Sequence, residues 1–256
     1  SEWLSNMWAA TTSRDILLAK QPEIESLLHT SSLLDDSPAI PYMEKVLQPF
    51  AGFGYGRHFA IAAANVDTGD YEIFTRENIS WDEIPHAAMS SGSIPVVFAP
   101  QSFKDMTLMD GGTIWNINID SAIKECLKIV DDPADIIVDV LVCGYNEIPQ
   151  EQLEHYSTKE NIMRRRAISS HYKNMDAVEQ EERAYPDVNY RYYFQEHNLG
   201  CGKVNELDFN NSTTWCLQEA GRRNAQQMLD IGQDSLHDTL EQWFTDEESR
   251  NETPYF

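Results

Sequence analysis

The chain has 256 residues, of which 41% are hydrophobic and 24% are charged, so it can bury a sizeable core and is not disordered throughout. Lys and Arg number 19 against 42 Asp and Glu, which gives a formal net charge of −23 at pH 7. Such an acidic surface repels phosphate backbones, so no nucleic acid partner is expected. No apolar run approaches the roughly 18–20 residues that a membrane span needs, so no transmembrane segment is predicted.

The N-terminal part of the chain predicts helices. Residues 2–10 and 14–29 carry apolar side chains at helical spacing, with Pro22 restarting the second helix. Ser37 and Pro38 predict the start of a third helix, because a serine N-cap followed by proline is a favoured way to begin one.

The apolar period changes after this helix. Residues 58–64 form an almost continuous apolar run, which is typical of a strand covered on both faces. Residues 68–70 (Thr-Gly-Asp) predict a turn, and residues 71–74 predict a returning strand. The capping-box pair Ser80 and Glu83 then predicts a short helix.

The rest of the chain continues this alternation of strands and helices. The predicted elements are a strand over 106–109, a helix over 119–130, a buried strand over 136–143, a polar helix over 151–183, a strand over 190–197 and helices over 212–244. Such alternation predicts an α/β fold with a mostly parallel sheet. We expect a single domain over residues 1–244, followed by an acidic tail over residues 245–256.

Cysteine and histidine spacing gives no sign of a metal or redox site. The four cysteines form no C-x-x-C pair, and the seven histidines form no H-x-H or H-E-x-x-H pattern. No glycine-rich phosphate-binding motif occurs either, so neither a metal nor a cofactor is predicted. Cys126 and Cys143 lie in apolar patterns and are expected to be buried free thiols, whereas a bridge between Cys201 and Cys216 is left open.

The most informative motif is Asp110-Gly111-Gly112, which follows the strand predicted over 106–109. Alone it predicts only a tight turn. Upstream of it, residues 90–100 read Ser-Ser-Gly-Ser-Ile-Pro-Val-Val-Phe-Ala-Pro, and downstream Asn116 precedes an amphipathic helix. This combination resembles the patatin-like phospholipase family, whose members share a Ser-Ser-x-x-Ile-Pro-x-x-Phe-x-Pro segment, an Asp-Gly-Gly or Asp-Gly-Ala turn and a following Asn.

The resemblance implies both a fold and an activity. The implied fold is a patatin-like three-layer α/β sandwich around a mostly parallel central sheet. The implied activity is that of a lipid acyl hydrolase of phospholipase A or esterase type, which cleaves lipid esters with a Ser–Asp dyad. Asp110 would be the general base of the dyad, and Gly111 and Gly112 would form the motif turn beside it.

The sequence departs from the family pattern at the nucleophile, because it contains no G-x-S-x-G motif. Ser90, Ser91 and Ser93 lie on a segment that is structural in the family. We therefore expect the N-terminal strands and the nucleophilic serine to be missing from this chain and supplied by an N-terminal fragment or a second chain. The alternative is a non-catalytic storage or structural protein with the same fold. Four N-x-S/T sequons favour a secretory or vacuolar compartment only weakly.

Overall fold

The computed structural model describes residues 2–19, 31–145, 158–196, 201 and 209–232. The chain divides into two compact units. Unit 1 consists of Ser1–Glu125 and Cys201–Gln218, and unit 2 consists of Cys126–Gly200 and Glu219–Phe256. The single domain expected over 1–244 stays a prediction, and the expected acidic tail over 245–256 lies outside the described residues.

Unit 1 contains most of the described elements. Its helices are α1 (Glu2–Ala10), α2 (Ser13–Ile16), α3 (Ala39–Leu47), α4 (Ile84–Gly92) and α5 (Ile119–Cys126, whose last residue belongs to unit 2). Its strands are β1 (Leu18–Ala19), β2 (Leu34–Asp35), β3 (Ala60–Asn65), β4 (Tyr71–Thr75), β5 (Gln101–Phe103) and β6 (Met106–Asp110). The helix expected over 14–29 is wrong at residues 18–19, because that segment pairs with β2 as an antiparallel strand; residues 20–30 lie outside the described residues.

The four-stranded sheet of unit 1 has the order β4-β3-β6-β5 and is antiparallel throughout, so the mostly parallel sheet expected from the sequence is wrong here. Short connections explain the direction of the β3–β4 and β5–β6 pairs, because parallel neighbours need a crossover of a dozen or more residues. Lys104 and Asp105 join β5 to β6 with φ of 52° and 60°, as a two-residue hairpin turn requires. Gly69 provides a φ of 79° in the turn between β3 and β4. The prediction of an α/β fold class, without the direction of the sheet, is confirmed, since helices and strands are both abundant.

The core of unit 1 fixes the register of its central strands. Its buried members are Ala63, Phe74, Ile79, Ala87, Phe103 and Leu108. The rings of Phe74 and Phe103 meet edge to face with centroids 5.2 Å apart. Complete burial of one such side chain stabilises the fold by roughly 1.5–3 kcal/mol. These contacts hold β3 and β6 in the pairing that places Asp110 opposite Ala63.

A second segment of the chain completes unit 1. Phe209 stacks on Trp8 with ring centroids 6.2 Å apart, and its carbonyl accepts a hydrogen bond from the Ser13 amide at 2.8 Å. Cys201 and Cys216 form a disulfide, which settles the pairing that the sequence left open.

Unit 2 is built around a parallel pair of strands. Its elements are β7 (Ile137–Tyr145), α6 (Thr158–Ala184), β8 (Asn189–Glu196) and the larger part of α7 (Asn211–Ile231). β7 and β8 are parallel and lie on either side of α6 in the sequence, so a helix-containing crossover joins them. Buried residues in and between these elements include Ile136, Val140, Met175, Val178, Val188 and Tyr193. Among the described strands, only this pair has the parallel direction expected from the sequence.

The cysteines outside the disulfide were expected to be buried free thiols. Cys126 is free, as expected, but it is exposed. The burial prediction is wrong because the buried face of α5 ends at Glu125, one residue before it. The side chain of Cys143 lies outside the described residues.

Candidate functional site

Asp110 lies at the end of β6, as the sequence predicted, and its side chain is half-buried. Its amide donates a hydrogen bond of 3.0 Å to the carbonyl of Ser93. Pairing with Ala63 on one side and with Ser93 on the other holds the backbone of Asp110 in place. The Asp110 carboxylate is therefore attached to a backbone position that two neighbouring segments hold in place.

The motif turn continues directly from this strand end. Residues 111–113 form one turn of 3-10 helix, and Asp110 is its N-cap. The Oδ1 atom of Asp110 accepts a hydrogen bond of 2.8 Å from the Gly112 amide. The amides of Ile114 and Trp115 both donate to the Gly111 carbonyl at 3.0 Å. This local bonding sets the direction of the Asp110 side chain.

Gly111 is required by a close approach of two backbones. A Cβ atom at this position would lie 2.5 Å from the carbonyl oxygen of Ala62 in β3. Backbone atoms of a central strand cannot move away as a flexible side chain could. Any residue other than glycine would therefore push the turn, and Asp110 with it, away from the sheet.

Gly112 is crowded by side chains instead. A Cβ atom there would lie 2.8 Å from Oδ1 of Asn116 and 3.1 Å from Oδ1 of Asp110. Asn116, the motif residue that follows the turn, is thus folded back against Gly112 on the same side as the carboxylate. The turn brings together all four motif residues that the sequence singled out here: Asp110, Gly111, Gly112 and Asn116.

Tyr71, the first residue of β4, belongs to this site, although no motif in the sequence includes it. Its hydroxyl donates a hydrogen bond of 3.0 Å to the Trp115 carbonyl. Burial raises the pKa of Tyr71, the Asn118 side chain lowers it and the charge of Asp110 raises it, and together they bring it to about 12. No sequence pattern signals this neighbour, because it depends on the pairing of β3 with both β4 and β6.

The serine-rich motif segment supports the site through its backbone. Ser90 and Ser93 are buried, and their hydroxyls donate to the carbonyls of His86 and Met89 at 2.8 and 2.7 Å. Ser93 also supplies the carbonyl that anchors the Asp110 amide. These two side chains therefore satisfy their hydroxyls within the chain segment that they belong to.

The described part of the chain, residues 2–19, 31–145, 158–196, 201 and 209–232, shows neither a metal-binding cluster nor a membrane-spanning helix. Within it, no three His, Cys, Asp or Glu side chains gather into a group that could hold a metal ion. None of its helices combines the length and the apolar character needed to cross a membrane.

Comparison with known families gives one match to this region. The family model described as patatin-like phospholipase matches residues 1–123, slightly less than half of the chain, and confirms the resemblance drawn from the motif. The matched residues include the whole Asp110 turn and the serine-rich segment. A comparison with curated proteins found no match.

Proposed function

We propose, from the match of residues 1–123 to the patatin-like phospholipases, that this chain contributes the general base of a lipid acyl hydrolase. The observation that carries the proposal is the position of Asp110: it ends a central strand, precedes two glycines and lies within the matched region. The substrate class is a lipid carrying an acyl ester, cleaved in the manner of a phospholipase A or an esterase.

The proposed reaction uses Asp110 twice. The carboxylate first accepts the proton of a serine hydroxyl while the serine oxygen attacks the ester carbonyl carbon. The tetrahedral intermediate collapses, the ester C–O bond breaks, and the departing alcohol oxygen takes the proton from Asp110. A water molecule then attacks the acyl-serine, giving its proton to Asp110, which returns it to the serine oxygen as the fatty acid leaves.

The serine, in this proposal, comes from a polypeptide segment other than residues 1–256. Two observations support this source: the sequence has no G-x-S-x-G motif, and the hydroxyls of Ser90 and Ser93 are committed to carbonyls of their own segment. That segment would also supply the additional strands of the three-layer sandwich implied by the family.

Asp110→Asn tests the role of the base without removing the cap. Asparagine keeps an oxygen that accepts the Gly112 N–H, so the turn is retained, but it cannot take a proton at neutral pH. We expect kcat for a short-chain phosphatidylcholine to fall by about 10²–10⁴-fold in the native protein. Asp132→Asn is the matched control, because Asp132 caps a 3-10 helix through the Ala134 amide at 3.0 Å. Equal activity of the two variants would overturn the proposal.

A fluorophosphonate probe tests the source of the serine. The probe attaches covalently to an activated serine, and peptide mass spectrometry then identifies the labelled polypeptide. We expect the label on a peptide outside residues 1–256. A labelled serine within residues 1–256 would overturn the proposed source, and complete absence of labelling would overturn the hydrolase proposal.

The second candidate is a non-catalytic storage or structural protein. The hydrogen bond from the Gly112 amide to Asp110 favours it, because a cap alone is sufficient reason for an aspartate at this position. It predicts no ester hydrolysis by the native protein and no labelling by the probe.

A further inference from the structure

Tyr71 connects the hairpin of unit 1 to the chain that follows the candidate base. It pairs with Ala64 of β3, and Ala64 pairs on its other side with Met109, the residue before Asp110. Two strand spacings therefore separate Tyr71 from the end of β6. Its side chain contacts the segment Gly112–Asn118, which leads from the motif turn to α5.

Three contacts fasten this segment to Tyr71. The hydroxyl donates to the Trp115 carbonyl at 3.0 Å, and the rings of Tyr71 and Trp115 meet edge to face with centroids 5.0 Å apart. The Asn118 side chain lies near the same hydroxyl and lowers its pKa. Asn118 Oδ1 in turn accepts from the Ser121 amide at 3.1 Å in the first turn of α5. One phenol oxygen thus links the middle and the end of the segment.

The rest of the segment has little support from secondary structure. After the 3-10 turn, residues 114–118 belong to neither helix nor strand. Trp115 is 56% exposed, so burial does not hold its side chain in place. The amide of Trp115 bonds to Gly111 and its carbonyl bonds to Tyr71, so a shift of Trp115 is transmitted to the turn that orients Asp110.

We infer that Tyr71 is a positioning residue, which holds the Gly112–Asn118 segment and thereby the orientation of the Asp110 carboxylate. The inference deepens the proposed function, on which its catalytic part rests. The hydroxyl keeps its proton at neutral pH, because the ordinary pKa of tyrosine, 10.0, is already well above 7 and that of Tyr71 is raised to about 12. It therefore remains a donor to the Trp115 carbonyl throughout the physiological range.

Tyr71→Phe removes the hydroxyl and keeps the ring contact with Trp115. The matched control is Tyr55→Phe, because the Tyr55 hydroxyl also donates to a backbone carbonyl, that of Ile79 at 2.8 Å. Hydrogen–deuterium exchange of peptides covering residues 111–118 is measured for both variants and the parent chain. We expect exchange at least about threefold faster in Tyr71→Phe and unchanged in Tyr55→Phe. Unchanged exchange in Tyr71→Phe would overturn the inference.

Steady-state kinetics on the native protein provide the second measurement. A residue that only orients the base should change kcat and leave KM unchanged. We expect kcat to fall about tenfold in Tyr71→Phe with no change in Tyr55→Phe. An unchanged kcat, or an equal fall in both variants, would overturn the positioning role in catalysis. If the parent hydrolyses no ester, the proposed function fails, and the exchange experiment alone decides whether Tyr71 holds the segment.

Discussion

The two units of this chain arrange their strands in opposite ways. In unit 1 a hairpin turn of two residues joins β5 to β6, and the sheet is antiparallel. In unit 2 a connection containing the 27-residue helix α6 joins β7 to β8, and the pair is parallel. The difference teaches that, where consecutive strands pair, the length and turn chemistry of their connection decide the direction, whereas alternation of strands and helices along the sequence does not.

The units also use glycine differently. Gly111 in unit 1 has a backbone carbonyl 2.5 Å from the place of a Cβ, whereas Gly221 in the α7 helix of unit 2 has nothing within 4 Å of it. Replacing glycine by alanine is therefore expected to lower the free energy of unfolding at Gly111 and to raise it at Gly221.

Gly111→Ala is expected to have the largest effect. The added methyl group meets the Ala62 carbonyl, and overpacking against atoms that cannot move costs about 3 kcal/mol or more of unfolding free energy. Gly221→Ala should instead stabilise by about 0.5–1 kcal/mol, because alanine is the better helix former and the space is open. Urea unfolding followed by circular dichroism measures both. The contrast between the two glycines is wrong if both substitutions change the free energy of unfolding in the same direction.

Cys216→Ser is expected to have the next largest effect, and it acts on unit 1. The Cys201–Cys216 disulfide spans 15 residues, and removing a cross-link of that loop length costs about 3 kcal/mol in the chain-entropy model. Cys126→Ser is the control, because Cys126 is a free, exposed thiol. Thermal melting without reductant should show a lower Tm for Cys216→Ser only. Equal melting of the two variants would show that the disulfide does not stabilise unit 1.

Ser121→Ala should stabilise unit 1 by about 1 kcal/mol. Ser121 is buried in α5, and its hydroxyl has no hydrogen-bond partner among the described residues. Removing an unsatisfied buried hydroxyl removes a desolvation penalty, and alanine also has the higher helix propensity. Ser90→Ala is the contrasting variant, because the Ser90 hydroxyl donates to His86, and we expect it to destabilise. A loss of stability in Ser121→Ala, measured by urea unfolding, would contradict this prediction.

The smallest expected effects are on the pH dependence of stability. In unit 1, hydrogen bonds from Thr12 and Ser80 lower the pKa values of Asp15 and Glu83. A lowered folded-state pKa contributes stability above the unfolded value and loses it as the pH falls, here from about pH 4.5 downward. Each unit also holds a tyrosine with a pKa raised to about 12, Tyr71 in unit 1 and Tyr193 in unit 2, so the contribution of each is lost as the pH rises above 10.

Variants separate the acid limb of the pH–stability curve, where stability falls below about pH 4.5, from the alkaline limb, where it falls above pH 10. Glu83→Gln should flatten the acid limb, and Tyr193→Phe should flatten the alkaline limb. Urea midpoints measured between pH 3 and pH 11 test both expectations. An acid limb that is unchanged in Glu83→Gln would show that its carboxylate contributes nothing to the stability of unit 1.

Much of the candidate site could be predicted because it is local in sequence. Asp110, Gly111 and Gly112 lie next to one another, and a strand followed by Asp-Gly-Gly predicts a carboxylate at the start of a tight turn. The reason for each glycine could not be predicted, because the atom that excludes a side chain at Gly111 belongs to Ala62, 49 positions away. Tyr71 was missed for the same reason, since its contacts depend on strand register.

The sequence by itself determined the α/β class, most element positions and the family resemblance, because periodicity, capping residues and turn residues act within a few residues of one another. Only the tertiary structure decided the antiparallel direction of the first sheet, the Cys201–Cys216 pairing and the exposure of Cys126. These features depend on which distant segments meet, and many pairings of the same strands or cysteines satisfy one local pattern equally well.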